Sequence, residues 1–194
     1  QLFEELVSDG DTIAVSWGTP LHYMVDALPI DSRHNSRVVQ LIGASGSEAN
    51  PTDGPMLATM LAKRLGAVSR QLHAPLLVES PTIRDALIAD KSVQYTLSLA
   101  RSASSAWVGI GSPAQSTYSL VRAGYLNSQE AAELTAAGAV GDICARLYDK
   151  NGHFLDNLDV SRRTVGIASE DLKQLDPVIG VAGGQGKEEA VLAA

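Results

Sequence analysis

This 194-residue chain has one cysteine, four histidines and few aromatics, and each scarcity excludes something. With Cys144 alone, no internal disulfide can form. It lies in the apolar segment GDICARLY and reads as a small buried hydrophobe. His22, His34, His73 and His153 are scattered, without an H-E-x-x-H or paired-ligand spacing, so no metal site is expected. No G-x-S-x-G nucleophile elbow occurs. Basic residues number 15 against 22 acidic ones, a net charge of −7, and no basic run is denser than SRRT. Duplex binding needs a dense Lys/Arg patch, so DNA is not expected to touch this chain itself. No stretch approaches the ~20 apolar residues of a membrane span, and no signal peptide is visible. The expected location is cytoplasmic, with no membrane partner. The chain opens on QLFEEL and ends within a helical pattern, so it reads as a fragment of something longer.

What is present is an ordinary globular composition, 45% hydrophobic and 19% charged, arranged as alternating strand and helix signals. The predicted strands are TIAVS (12–16), RVVQLIG (37–43), LHAPLLV (72–78), SAWVGIG (105–111) and VIGVAG (178–183). Helical patterns fall between them in PLHYMVDAL, GPMLATMLAKRLGA, TIRDALIAD, SVQYTLSLARSA and NSQEAAELTAAGA. In the last of these Ser128 is the expected N-cap, with Ala131 three residues on and so no capping box. Asn151-Gly152 predicts the turn of an antiparallel hairpin, because both residues tolerate positive φ. The expected fold is α/β, a Rossmann-like, mostly parallel sheet with helices on both faces and that hairpin appended. Residues 1–194 are expected to form one domain.

In open parallel sheets, ligands bind beyond the carboxyl ends of the strands. Four loops rich in Gly, Ser and Thr fall there: SWGTP, GASGSEANPTDGP, GIGSPAQST and GGQGK. The last resembles a P-loop but fails both tests. Val181 stands where the leading glycine belongs, and Glu188 where the Mg²⁺-binding hydroxyl belongs. It keeps Lys187 and backbone N–H groups at a helix start, a combination suited to an anion. GIGSPA matches the dinucleotide pattern G-x-G-x-x-A, but no acidic residue ends a following strand, so no nucleotide cofactor is implied. Asp142 is a carboxylate inside an apolar strand, a costly placement without a partner. It either accepts hydrogen bonds from ligand hydroxyls or pairs with Arg146. Together these loops suit a polyol bearing phosphate.

The motifs DGDTIAVSWGTPLHYMVDALP, VVQLIGASG, VESPTIRDALIADKSVQYTLSLARSASSAWVGIGSP, GYLNSQEAAELTAAGAVGDICARLYDKNGHFLD and VIGVAGGQGKEEAVLAA follow in order. From about residue 10 to the end, the chain resembles the C-terminal effector-binding domain of SorC/DeoR-type bacterial transcriptional regulators. The resemblance implies a fold related to phosphosugar isomerases and deaminases. It also implies a sugar or sugar-phosphate effector, a homo-oligomer (dimer or tetramer), and DNA binding through an N-terminal helix-turn-helix outside this chain.

By that resemblance the effector-binding positions fall on Ser16, Gly18 and Thr19, on Gly43, Gly46 and Asp53, and on Asp142 and Lys187; the strand-end loops add Gly109, Gly111, Ser112 and Gly183 as expected contacts. Asp142 stands where the family holds sugar hydroxyls. Trp17 and Pro20 are expected to narrow the first loop. Ile42 occupies a position that is basic in some members, which favours a mono-phosphorylated or neutral sugar. The alternative, an isomerase or deaminase on the same scaffold, needs a general base. Only Asp53 and Asp142 are available at the strand ends, so a sensor that turns nothing over is expected, with no cofactor.

Overall fold

A computed structural model describes residues 2–29, 35–46 and 52–194. The first part of the chain runs α1 (Leu2–Leu6), β1 (Thr12–Val15), α2 (Thr19–Ala27), β2 (Arg37–Gln40), α3 (Gly54–Leu65) and β3 (Val68–Arg70). The middle comprises α4 (Pro81–Ala89), α5 (Lys91–Arg101), β4 (Ser105–Gly111), α6 (Ser119–Arg122) and α7 (Ser128–Ala136). The last part comprises β5 (Gly141–Ile143), β6 (Arg146–Tyr148), α8 (Asp159–Arg163), α9 (Ser169–Gln174), β7 (Val178–Val181) and α10 (Glu188–Ala193).

The strands form one sheet in the order β3-β2-β1-β4-β5-β6, with β7 also paired to β4. Strands β1, β2, β3, β4 and β7 pair with one another in parallel, whereas β5 pairs antiparallel with both β4 and β6. Successive side chains of a strand point to opposite faces, and here both faces are apolar. Ile13, Val15, Val38 and Trp107 pack with Leu21, Val25, Leu57 and Leu61 of α2 and α3. Ala14, Val39, Ala106 and Val108 point the other way, into a second core with Leu120, Leu147 and Ile167. Each fully buried leucine contributes on the order of 1.5–3 kcal/mol. The expected α/β fold, covered on both faces, is what the chain adopts.

Three local expectations are corrected. Residues 72–78 are not a regular strand: their only bridges are the isolated pairs Ala44↔Pro75 and Leu77↔Thr164, outside the strands of the sheet. Pro75 has no N–H to give to a ladder. The true third strand is the short, polar, partly exposed β3, whose sequence VSR carries no apolar alternation. The hairpin turn is not Asn151-Gly152 but Cys144-Ala145, which joins β5 to β6 with both residues in the left-handed region, at φ 55° and 57°. Neither residue type signals such a turn. Asn151-Gly152 does turn the chain, held by Asp149 Oδ1, which accepts from the N–H groups of Asn151 and His153, and it leads only to the isolated bridge Tyr148↔Phe154. Finally, α7 is capped by Asn127 rather than Ser128. Asn127 Oδ1 accepts from Glu130 N, and Glu130 Oε2 accepts from Asn127 N, a complete capping box one residue earlier than expected.

Candidate functional site

The carboxyl ends of β1, β4 and β7 open into a cavity of about 430 Å³. Its first wall is the start of α2, with Thr19, Pro20 and Tyr23. Gly18 precedes this helix at φ 123° and has no side chain to cap it, so the first-turn N–H groups remain without a side-chain partner. Pro20 suits such a first turn because its missing N–H would go unused. The second wall follows β4: Gly111, Ser112, Gln115 and Tyr118, then Arg122 from α6. The third follows β7: Gly183, Gly184, Gln185 and Lys187. The Gln115 side-chain amide donates to the Gln185 carbonyl, tying the second wall to the third.

Among the described residues, two cations face this space and no carboxylate lines it. Lys187 Nζ donates to the Ile110 carbonyl at 2.6 Å. Partial burial lowers its pKa, while the charge of Asp142 acts in the opposite direction. Arg122 Nη1 lies 3.4 Å from Thr19 Oγ1, to which it donates. With a helix start between them, these groups favour an anion.

Asp142 does not line the cavity; it lies directly behind Gly111, its partner in the β4–β5 register. A Cβ at Gly111 would collide with Asp142 Oδ1, so glycine is required there. Asp142 Oδ2 accepts from Ala145 N at 3.1 Å, but Oδ1 has no hydrogen-bond partner. Burial raises the Asp142 pKa to about 6 against the pull of the Ala145 N–H, Tyr118 and Lys187. The Tyr118 hydroxyl is close enough to steady the carboxylate, although neither it nor Oδ1 meets hydrogen-bond geometry. Burial, then the Asp142 charge, holds the Tyr118 hydroxyl well above its usual pKa. The expected alternative of an Asp142–Arg146 pair is not formed. In the hairpin, Asp142 is opposite Leu147 and Ile143 is opposite Arg146, which puts the two charged side chains on opposite faces.

Of the residues expected at the site, Thr19, Gly111, Ser112, Gly183 and Lys187 share this cavity. Gly18 lines a narrower crevice beside it, together with Thr19 and Arg122. Five others do not line the cavity. Ser16 is fully buried, and its Oγ accepts from Gly109 N at 3.0 Å, stitching β1 to β4. Gly109 has no room for a side chain, because a Cβ would come within 2.7 Å of the Trp17 carbonyl. Gly43 is pressed against the Pro75 carbonyl. Asp53 caps α3, its Oδ1 accepting from Gly54 N at 2.8 Å and Ser45 N at 2.9 Å. Gly46 turns the same loop at φ 72°. Residues 47–51 of that loop, and His34, lie outside the described residues. Ile42 is fully buried. Ser16, Asp142 and Lys187 nonetheless converge on one spot, through contacts to residues 109, 111 and 110. Sequence reasoning missed Arg122, Gln115, Tyr23 and Tyr118. No motif marks them, and Arg122 sits in the four-residue α6, too short for a periodic signal.

A family model describing a sugar-binding domain matches residues 1–194. The sorbitol operon regulator of Klebsiella pneumoniae is 34% identical over 197 residues, covering 100% of this chain and 61% of the relative. The deoxyribonucleoside regulator of Bacillus subtilis is 27% identical over 191 residues, covering 98% of the chain and 60% of the relative. The solved full-length sorbitol operon regulator SorC from Klebsiella pneumoniae superposes with a TM-score of 0.87 at 32% identity, covering 100% of this chain and 61% of that one. The chain thus spans about three fifths of the length of these relatives.

Proposed function

The chain belongs to the sugar-binding domain family of SorC/DeoR-type transcriptional regulators, and from that premise we propose that its cavity senses a mono-phosphorylated sugar. One observation carries this reading: Lys187, Arg122 and the uncapped start of α2 face a single cavity whose lining, among the described residues, holds no acidic side chain. A phosphate group supplies the charge and the acceptors this arrangement lacks. Hydroxyls of the sugar would meet Ser112, Gln115 and Thr19, with Tyr23 and Tyr118 against the ring. Asp142 acts from behind Gly111 on the charge of Lys187. Gly18 shapes the entrance, while Ser16, Gly43, Gly46, Asp53 and Gly109 support the loops.

Binding here is without turnover. Isomerisation needs a general base beside the substrate carbon, and among the described residues the lining offers neither carboxylate nor imidazole. In the whole protein, a homo-oligomer in the cytoplasm, occupancy would favour one arrangement of subunits and thereby alter DNA binding elsewhere in the protein. The test is a panel of pentose, hexose and hexitol monophosphates set against their unphosphorylated parents. Thermal stabilisation by one or more phosphates, with the sugar recovered unchanged by NMR, is the expected result. Conversion of any sugar, or stabilisation by parents alone, contradicts the reading.

A further inference from the structure

Arg146 raises a question that the cavity does not answer. The hairpin turns its side chain away from Asp142, and it is only 3% exposed. Nε donates to the Ile167 carbonyl at 3.1 Å, Nη1 to the Ser161 carbonyl at 2.7 Å and Nη2 to the Thr164 carbonyl at 3.4 Å. A guanidinium has five N–H groups, so two remain. Among the described residues no acidic side chain forms an ion pair with it. The charges of Asp156 and Glu170 favour the cation without pairing with it, and a buried cation without an ion-pair partner is costly.

This guanidinium lines a polar cleft of about 290 Å³ between α4, α8 and the start of α9, which shares no lining residue with the first cavity. Two further donors lie in it without partners: Arg84 Nε and the hydroxyl of Ser161, a residue 1% exposed. The acidic side chains of the cleft are all exposed, at its rim. Asp85 already accepts from Arg84 Nη1 at 2.8 Å, and Asp156 from Ser169 Oγ at 2.6 Å. At the mouth, exposed Glu170 opposes exposed Arg162 in sign. The floor therefore carries donors and positive charge, and the rim carries the acids.

We propose that this cleft is a second ligand site, one that takes a small oxyanion on the Arg146 and Arg84 guanidinium groups and the Ser161 hydroxyl. Burial, then the nearby charge of Arg84, already lowers the pKa of Arg146, so the two cations oppose each other. An oxyanion between them converts that repulsion into attraction and provides acceptors for donors that are otherwise unmet. Its carboxylate or phosphate oxygens fit the planar fork of an arginine.

The test uses inorganic phosphate and, separately, acetate, with the protein carrying Lys187→Ala and Arg122→Ala so that the first cavity is silenced. Arginine Nε–Hε NMR signals are followed at constant ionic strength against chloride. Saturable shifts of the Arg84 and Arg146 signals with either anion support the site, and the arm that saturates tells phosphate from carboxylate. Adding Arg84→Gln or Ser161→Ala should weaken that binding by about tenfold or more, the scale of one charge-assisted hydrogen bond. Both variants alter one group and are read only where the rest of the spectrum is unchanged. Shifts that never saturate, or an affinity that neither substitution changes, overturn the proposal.

Discussion

Three glycine-rich, polar loops leave strands of the same sheet and are put to different uses. Among the described residues, the loop after β2 uses its polar groups within the chain. Asp53 accepts from two backbone N–H groups, Tyr125 donates its hydroxyl to the Ser45 carbonyl at 2.9 Å, and Gly43 lies against Pro75. The loops after β4 and β7 leave cations facing open space beside the start of α2, with an unpartnered carboxylate oxygen just behind. Composition does not separate the two cases. What separates them is whether the chain itself consumes the donors and acceptors, and that depends on long-range contacts. In the first loop a polar residue is a stabilising element; in the others, on the proposed reading, it is a means of recognition.

Substitutions can break or sharpen this contrast. The largest effect is expected at Asp142, the carboxylate with an unmet oxygen. Its pKa is raised in the folded protein to about 6, so the folded state binds the proton more tightly than the unfolded chain. Stability is therefore greatest below the unfolded value near 4 and falls as pH rises through 6. Asp142→Asn should flatten that fall and stabilise the protein above pH 6 by up to roughly 3 kcal/mol, as measured by urea unfolding at pH 4, 6 and 8. A pH profile unchanged by the substitution would count against a strained, buried carboxylate.

Next comes Lys187→Ala, which should weaken binding of a sugar phosphate by about 1.5–3 kcal/mol while leaving the melting temperature nearly unchanged. Gly43→Ala reverses that pattern. Its new Cβ meets backbone rather than a movable side chain, so it should cost about 1–3 kcal/mol of stability and leave the ligand affinity of the folded fraction intact. The smallest effect belongs to Asp53→Ala, which removes the α3 cap and should cost about 0.5–2 kcal/mol. A large loss of affinity in either loop variant, at full folding, would place the second loop back in the site.

The strands that define the fold were legible because β1, β2, β4 and β7 are apolar runs ending in glycine or serine. Strand β3 was not, since VSR at a sheet edge is held by its backbone pairing to Arg37–Val39 rather than by burial of its side chains. The Cys144-Ala145 turn was hidden for a related reason: tertiary packing forces two ordinary residues into a conformation that Asn-Gly would adopt readily. In the site, Lys187 and Gly111 stand out through motif context. Arg122 has no motif around it, and only the fold brings it across from α6 to Thr19. Ser16 shows the converse, a hydroxyl at a strand end that the sheet uses for itself.

On the proposed reading, Lys187 and Arg122 together hold a phosphate group. Calorimetric titration of one sugar phosphate and its unphosphorylated parent into wild-type and Lys187→Ala, Arg122→Ala protein tests it most directly. The wild type should prefer the phosphate by about tenfold or more, the scale of one charge-assisted contact, and the double variant should lose that preference. Equal affinity for both sugars in the wild type, or an undiminished preference in the double variant, would contradict it.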